Sequence, residues 1–124
     1  MDLTPTIPAG RQVIESYGPG GFRVSGIAYA RSILVFPDRT IAWDVVDFTA
    51  VSIESLTPVV SHGGVEILLL GCGPRLLRVP PELRQALRAA GIGIDAMDTG
   101  AACRTYNVLM AEERPVAAAL IQPV

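Results

Sequence analysis

The chain has 124 residues, half of them hydrophobic, with ten basic residues against twelve acidic ones and a formal net charge of −2. That length suits one domain with its own core, and the hydrophobic content excludes a disordered chain. The charge balance gathers no phosphates, which sets general nucleic-acid binding aside.

In chain order, Met1 to Gly10 holds neither a basic cluster nor an apolar run, so no signal peptide is expected. Gln12 to Tyr17 reads as a strand and Gly18-Pro19-Gly20-Gly21 as a breaker. Phe22 to Val24 and Ile27 to Phe36 follow as strands around Ser25-Gly26. Pro37-Asp38-Arg39 is a turn, and Ile41 to Val45 a further strand containing Trp43. Short strands between close turns predict an antiparallel meander over residues 1–48.

The pattern then changes to alternating strands and helices over residues 49–124. Ser52 is a candidate cap for a helix running towards Ser61, although Pro58 inside it removes a hydrogen bond. Val65 to Leu70 is aliphatic and bounded by glycines, as a strand covered on both faces should be. The run is too short for a membrane span, which needs about 20 apolar residues. Pro80-Pro81 opens a helix with Leu83, Ala86, Leu87 and Ala90 on one stripe, and Gly91 suits its stop. Ile92 to Met97 is the next strand. Asp98 or Thr99 caps a helix to about Glu112, with Ala102, Thr105, Tyr106, Leu109 and Met110 facing inward; Val116 to Ile121 closes the chain as a strand. This order implies parallel pairing through crossover helices. The expected architecture is one α/β domain over residues 1–124. A central mixed, mostly parallel sheet lies between helices, with a small N-terminal antiparallel β-layer added.

Two loops are candidates for binding. In Gly71-Cys72-Gly73 a glycine pair follows a buried strand, the setting in which a backbone lets a phosphate approach; the third glycine of the dinucleotide fingerprint is absent, since position 76 is Leu76. A tight turn needing backbone conformations that a side chain would block is the favoured account of the pair. Asp98-Thr99-Gly100 heads a helix whose free N–H groups favour an anion, with Arg104 as an added donor and Asn107 a turn further on. The competing reading makes Asp98 and Thr99 plain caps and has Tyr106 and Asn107 hydrogen-bond a neighbouring loop. Ligands in parallel sheets sit beyond the C-terminal strand ends, so both loops are expected to share one rim.

Reactive chemistry has less support. Cys103, in the first turn of its helix, could carry a lowered thiol pKa. Its natural activator would be histidine, and His62 is the only one. Cys72 and Cys103 otherwise read as small buried thiols. No zinc pattern, GxSxG, HExxH or P-loop is present, so no catalytic residue, metal ligand or cofactor is assigned. Arg75, Arg78, Arg84 and Arg88 form a basic edge that could contact an acidic protein.

Several stretches carry a family resemblance: Met97-Asp98-Thr99, Ala101 to Leu109, Glu112-Glu113-Arg114, Val116 to Leu120 and Leu68 to Gly73, with looser support from Phe22-Arg23-Val24 and Ser32 to Val35. Together they resemble a small family of uncharacterised domains that includes mitochondrial complex I assembly factor 3. The resemblance implies a three-layer fold and no transferable catalytic residue. It also implies a role in helping assemble respiratory NADH:quinone oxidoreductase through protein contacts. Its expected partners are respiratory-complex subunits or other assembly factors, with self-association left open. The short N-terminus resembles a bacterial member, expected in the cytoplasm or at the periphery of the inner membrane.

Overall fold

A computed structural model describes residues 10–123 of the protein. Strands β1 (Ile14–Gly18), β2 (Gly21–Val24) and β3 (Ile27–Tyr29) form a small antiparallel sheet in sequential order. The second sheet has five strands: β4 (Ile33–Val35), β5 (Thr40–Ala42), β6 (Ile67–Gly71), β7 (Gly93–Met97) and β8 (Val116–Leu120). Its order is β5-β4-β8-β6-β7. β6 runs parallel to both β7 and β8, whereas β4 is antiparallel to β5 and to β8. The sheet is therefore mixed as expected: β5, β6, β7 and β8 point one way and β4 alone runs against them.

The expected strand from Ile27 to Phe36 is two strands in different sheets. β3 is largely exposed, while all three residues of β4 are buried. Between them Ser32 anchors the crossing: its hydroxyl accepts from the Gln122 N–H at 2.9 Å, and its carbonyl accepts from the Trp43 N–H at 2.9 Å. The meander thus ends at β3, and the β4–β5 hairpin extends the central sheet.

Helix α1 (Thr57–His62) is preceded by a 3-10 turn at Glu54–Leu56. Ser52 and Ser55 close that entry reciprocally, each hydroxyl accepting the other's N–H at 3.1 and 2.9 Å. Pro58 lies in the first turn of α1, where no partner for its missing N–H is needed. Helix α2 (Pro81–Ala89) connects β6 to β7, and α3 (Thr99–Ala111) connects β7 to β8. The two crossovers run in opposite directions along the sheet, so right-handed connections require the helices on opposite faces.

The core confirms that arrangement. On one face Leu34, Leu68, Leu70, Ala117 and Ala119 pack with Trp43, Leu56, Val59, Leu83 and Leu87 beneath α1 and α2. On the other, Ile33, Val35, Leu69, Ala118 and Leu120 pack with Tyr106, Met110, Phe22 and Val24 beneath α3 and the small sheet. Neighbours in each strand alternate between the two faces, as a pleated strand requires. In α3 the buried stripe includes Cys103, with Thr105 and Leu109 only half-buried.

Candidate functional site

β6, β7 and β8 end together, with Gly71 level with Met97 on one side and Leu120 on the other. The loops that follow therefore meet at one rim. Cys72 continues the pairing, donating its N–H to the Met97 carbonyl at 2.8 Å. Thr99 then joins three segments. Its N–H donates to the Gly73 carbonyl at 2.8 Å, and its hydroxyl accepts from the Gly73 N–H at 2.8 Å. That hydroxyl also donates to the Ile121 carbonyl at 3.2 Å. Gly73 takes φ of +97°, a conformation that a side chain would strain, so the glycine is explained by the turn itself.

Asp98 caps α3. Its carboxylate accepts from the Ala101 N–H at 2.9 Å, and its carbonyl accepts from Ala102 at 3.0 Å. With Thr99 bonded to Gly73, most of the donors that an anion would use at this helix end are already engaged. Gly100 lies under Tyr17: a Cβ there would come within 2.7 Å of the tyrosine hydroxyl. Arg104 is exposed, donates to that same hydroxyl, and holds its guanidinium 6.0 Å from the centre of the Tyr17 ring.

Asn107 is not at the rim. Its amide pairs with the backbone of β1, accepting from the Ile14 N–H at 3.0 Å and donating to the Ile14 carbonyl at 2.7 Å. Beside it the Tyr106 hydroxyl donates to the Gln12 carbonyl at 2.9 Å. These are the bonds to a neighbouring segment that the competing reading anticipated.

Two depressions open on the rim. The first, about 260 Å³, is lined by Tyr17, Pro19, Gly73, Asp98, Gly100 and Pro123 among others. The second, about 430 Å³, runs between the Val46–Thr49 turn and the Gly73–Leu77 loop, with Phe48, Cys72 and Ile121 inside it. Gly73 and Pro74 border both. Tyr17, Pro19, Val46 and Phe48 had no local signal: each is remote in sequence from the loops it faces.

The thiols are not activated. Burial pushes Cys103 up from 9.0 to about 12, against the small opposing pull of Arg104, so the expected lowering at the helix start does not occur. Burial raises Cys72 as well. His62 is engaged elsewhere, stacked on Phe36 with ring centres 4.7 Å apart and its Nε2 2.8 Å from the Asp38 carboxylate. Among the described residues, no three His, Cys, Asp or Glu side chains gather where they could hold a metal ion. Nor is any helix among them long and apolar enough to cross a membrane.

Fold and rim together define a three-layer α/β protein in which backbone and capping groups, not reactive side chains, form the strand-end surface. The chain belongs to the family described as protein of unknown function (DUF498/DUF598), whose model matches residues 14–121. It is 38% identical over 112 residues to zebrafish NADH dehydrogenase [ubiquinone] 1 alpha subcomplex assembly factor 3, covering 90% of this chain and 64% of that protein. It thus spans a little under two thirds of that relative's length. An uncharacterised protein of Rhodobacter capsulatus is 35% identical over 113 residues, covering 91% and 86% of the two chains. The crystal structure described as an outer membrane protein from Bartonella henselae superposes with a TM-score of 0.85 at 40% identity, covering 93% of this chain and 98% of that one.

Proposed function

We propose that this protein acts by contact as an accessory factor in assembling respiratory NADH:quinone oxidoreductase, in a bacterial cytoplasm or at the inner-membrane periphery. The observation that carries the reading is the 38% identity, across 90% of this chain, to a protein named as an assembly factor of that enzyme. The chemistry at the rim agrees with it: the polar groups there are engaged in holding loops together, and both thiols stay protonated at neutral pH.

The test is genetic and biochemical together. Deleting the gene should lower the amount of assembled oxidoreductase on a native gel while its subunits are still synthesised. A tagged chromosomal copy should recover oxidoreductase subunits or their assembly proteins from gently solubilised membranes. Normal assembly in the deletion strain would sink the reading.

A second reading, an anion or small-molecule site, rests on the 260 Å³ depression between Gly73 and Gly100. Arg104 would have to leave Tyr17 to reach a ligand there. A ligand at 100 times its dissociation constant adds about 2.7 kcal/mol of stability. Inorganic phosphate and common nucleotides should therefore raise the melting temperature of the wild type and not of Arg104→Ala; no shift with any of them rules this reading out.

A further inference from the structure

β7 is an edge strand of the central sheet, and two hydrogen bonds fix which of its backbone groups face outwards. The Gly93 N–H donates to the Glu66 carbonyl at 2.9 Å, and the Met97 carbonyl accepts from the Cys72 N–H at 2.8 Å. Successive residues of a strand turn to opposite sides. Gly93, Asp95 and Met97 therefore pair with β6, and Ile94 and Ala96 face out. The Ile94 carbonyl is capped, accepting from the Arg84 guanidinium at 2.9 Å. Among the described residues, the Ile94 N–H and both backbone groups of Ala96 have no partner. The other edge, β5, is partly covered: the Thr40 hydroxyl donates to the Gln12 side chain at 2.8 Å, and the Gln12 N–H donates to the Pro37 carbonyl at 2.9 Å.

The layer beside this open edge is incomplete. Ile67, Met97 and Leu109 pack on the α3-side core yet stay partly exposed. Asp95, level with the buried Leu69, is exposed. A depression of about 230 Å³ at the edge is lined by Glu66, Ile67, Arg84, Gly93, Ile94 and Asp95. Arg84 is turned onto a carbonyl, and neither carboxylate is in an ion pair among the described residues, where the pairs are Arg23–Glu15, Arg31–Asp44 and His62–Asp38. Two acids against one base leave the depression negative.

We infer that β7 takes up an extended segment of another protein along its outer edge, with Lys or Arg beside Asp95 and an apolar residue two places away against Met97. Strand addition satisfies the unpaired backbone groups, and alternate side chains of the guest supply specificity. A second copy of this chain fits poorly. The two-fold pairing that uses all the unpaired groups sets Ile94 of each copy against Ala96 of the other. Asp95 then lies directly opposite Asp95, and like charges so placed destabilise a strand pair. The inference rests on the contact function proposed above and names the partner's chemistry.

Two measurements separate the inference from the reading beneath it. In the first, short fluorescent peptides of alternating Val and Thr, with Lys at the centre of one and Glu at the centre of the other, are titrated with the full chain. The Lys peptide should bind about tenfold more tightly, a difference of about 1.4 kcal/mol. Asp95→Lys should reverse the order, and since Asp95 is exposed the variant should keep the wild-type melting temperature. In the complex, amide hydrogen exchange should slow at Ile94 and Ala96 and stay unchanged at Ala42 on β5. Equal binding of both peptides, no binding, an order unaltered by Asp95→Lys, or binding without protection of Ile94 and Ala96 overturns the inference. So does a wild-type chain that dimerises with those two amides protected, which would make the occupant a second copy.

In the second measurement, tagged wild-type and Asp95→Lys proteins are compared in recovering oxidoreductase subunits. Recovery by the wild type alone supports both. Equal recovery overturns the β7 edge as the docking surface and leaves the assembly reading standing. Recovery by neither protein, with the peptide preference and the amide protection intact, overturns the assembly reading and supports the edge.

Discussion

Thr99, at the start of α3, ties the Gly73 loop to Ile121 just after β8 with one hydroxyl group while only 2% exposed. Thr99→Val keeps the shape but leaves the Gly73 N–H and the Ile121 carbonyl without that partner inside the protein. A buried polar group deprived of its bond costs about 1–3 kcal/mol, so urea unfolding should show a loss of about 2–6 kcal/mol for the pair. Thr99→Ser, which retains the hydroxyl, should lose clearly less.

Cys103 makes a second residue-scale prediction. Its folded pKa of about 12 exceeds the ordinary 9.0, because burial disfavours the thiolate. Above pH 9 the unfolded chain releases this proton and the folded chain keeps it. The unfolded state is then favoured, and stability falls as pH rises from 9 towards 12, by about 1.4 kcal/mol per unit for one full proton. Tyr106, also raised by burial, adds to the fall above pH 10. Melting temperatures across this range should drop less steeply in Cys103→Ala. Asp38 has the opposite sign: the His62 hydrogen bond lowers its pKa, so its small contribution is lost as pH falls below 3.8.

Between α3 and the small sheet, Asn107 acts as a strand partner, its amide engaging both backbone groups of Ile14. β1 has β2 on its other side, with an irregular register between Ile14 and Ser16, so the helix supplies what a further strand would otherwise supply. Asn107→Ala should therefore loosen β1 selectively. We expect a loss of about 1–3 kcal/mol, with faster amide exchange at Ile14 and little change in α2. Uniform acceleration across both helices would contradict this account. The arrangement also explains how Tyr17, at the far end of the same strand, reaches Gly100 and Arg104: Asn107 fixes β1 alongside α3, and the rim contact follows.

Across the whole molecule, β4, β6 and β8 contribute alternate residues to both apolar faces, so neither layer of helices keeps its core without the shared sheet. From this we expect residues 10–123 to unfold as one domain. Trp43, 4% exposed, reports on the α1–α2 side through its fluorescence, and Cys103, 2% exposed, reports on the α3 side through its reaction with a thiol reagent. Their urea midpoints should coincide. Release of Cys103 at clearly lower urea would divide the molecule into two units.

Local order was legible in the sequence wherever the physics is local. Apolar spacing with proline and glycine punctuation marks α2, Asp98 caps α3, and the aliphatic run before Gly71 marks a strand covered on both faces. Because parallel strands joined by crossover helices end on the same side, even the meeting of the Gly71–Gly73 and Asp98–Gly100 loops could be foreseen. Only the tertiary structure decided that the chain changes sheets at Ser32, that Asn107 serves β1 and not the rim, that Tyr17 covers Gly100, and that Cys103 is protected where its place in the first turn suggested activation. Each of these depends on which distant backbone or side chain completes a hydrogen bond or excludes water, and periodicity along a chain carries no record of that partner.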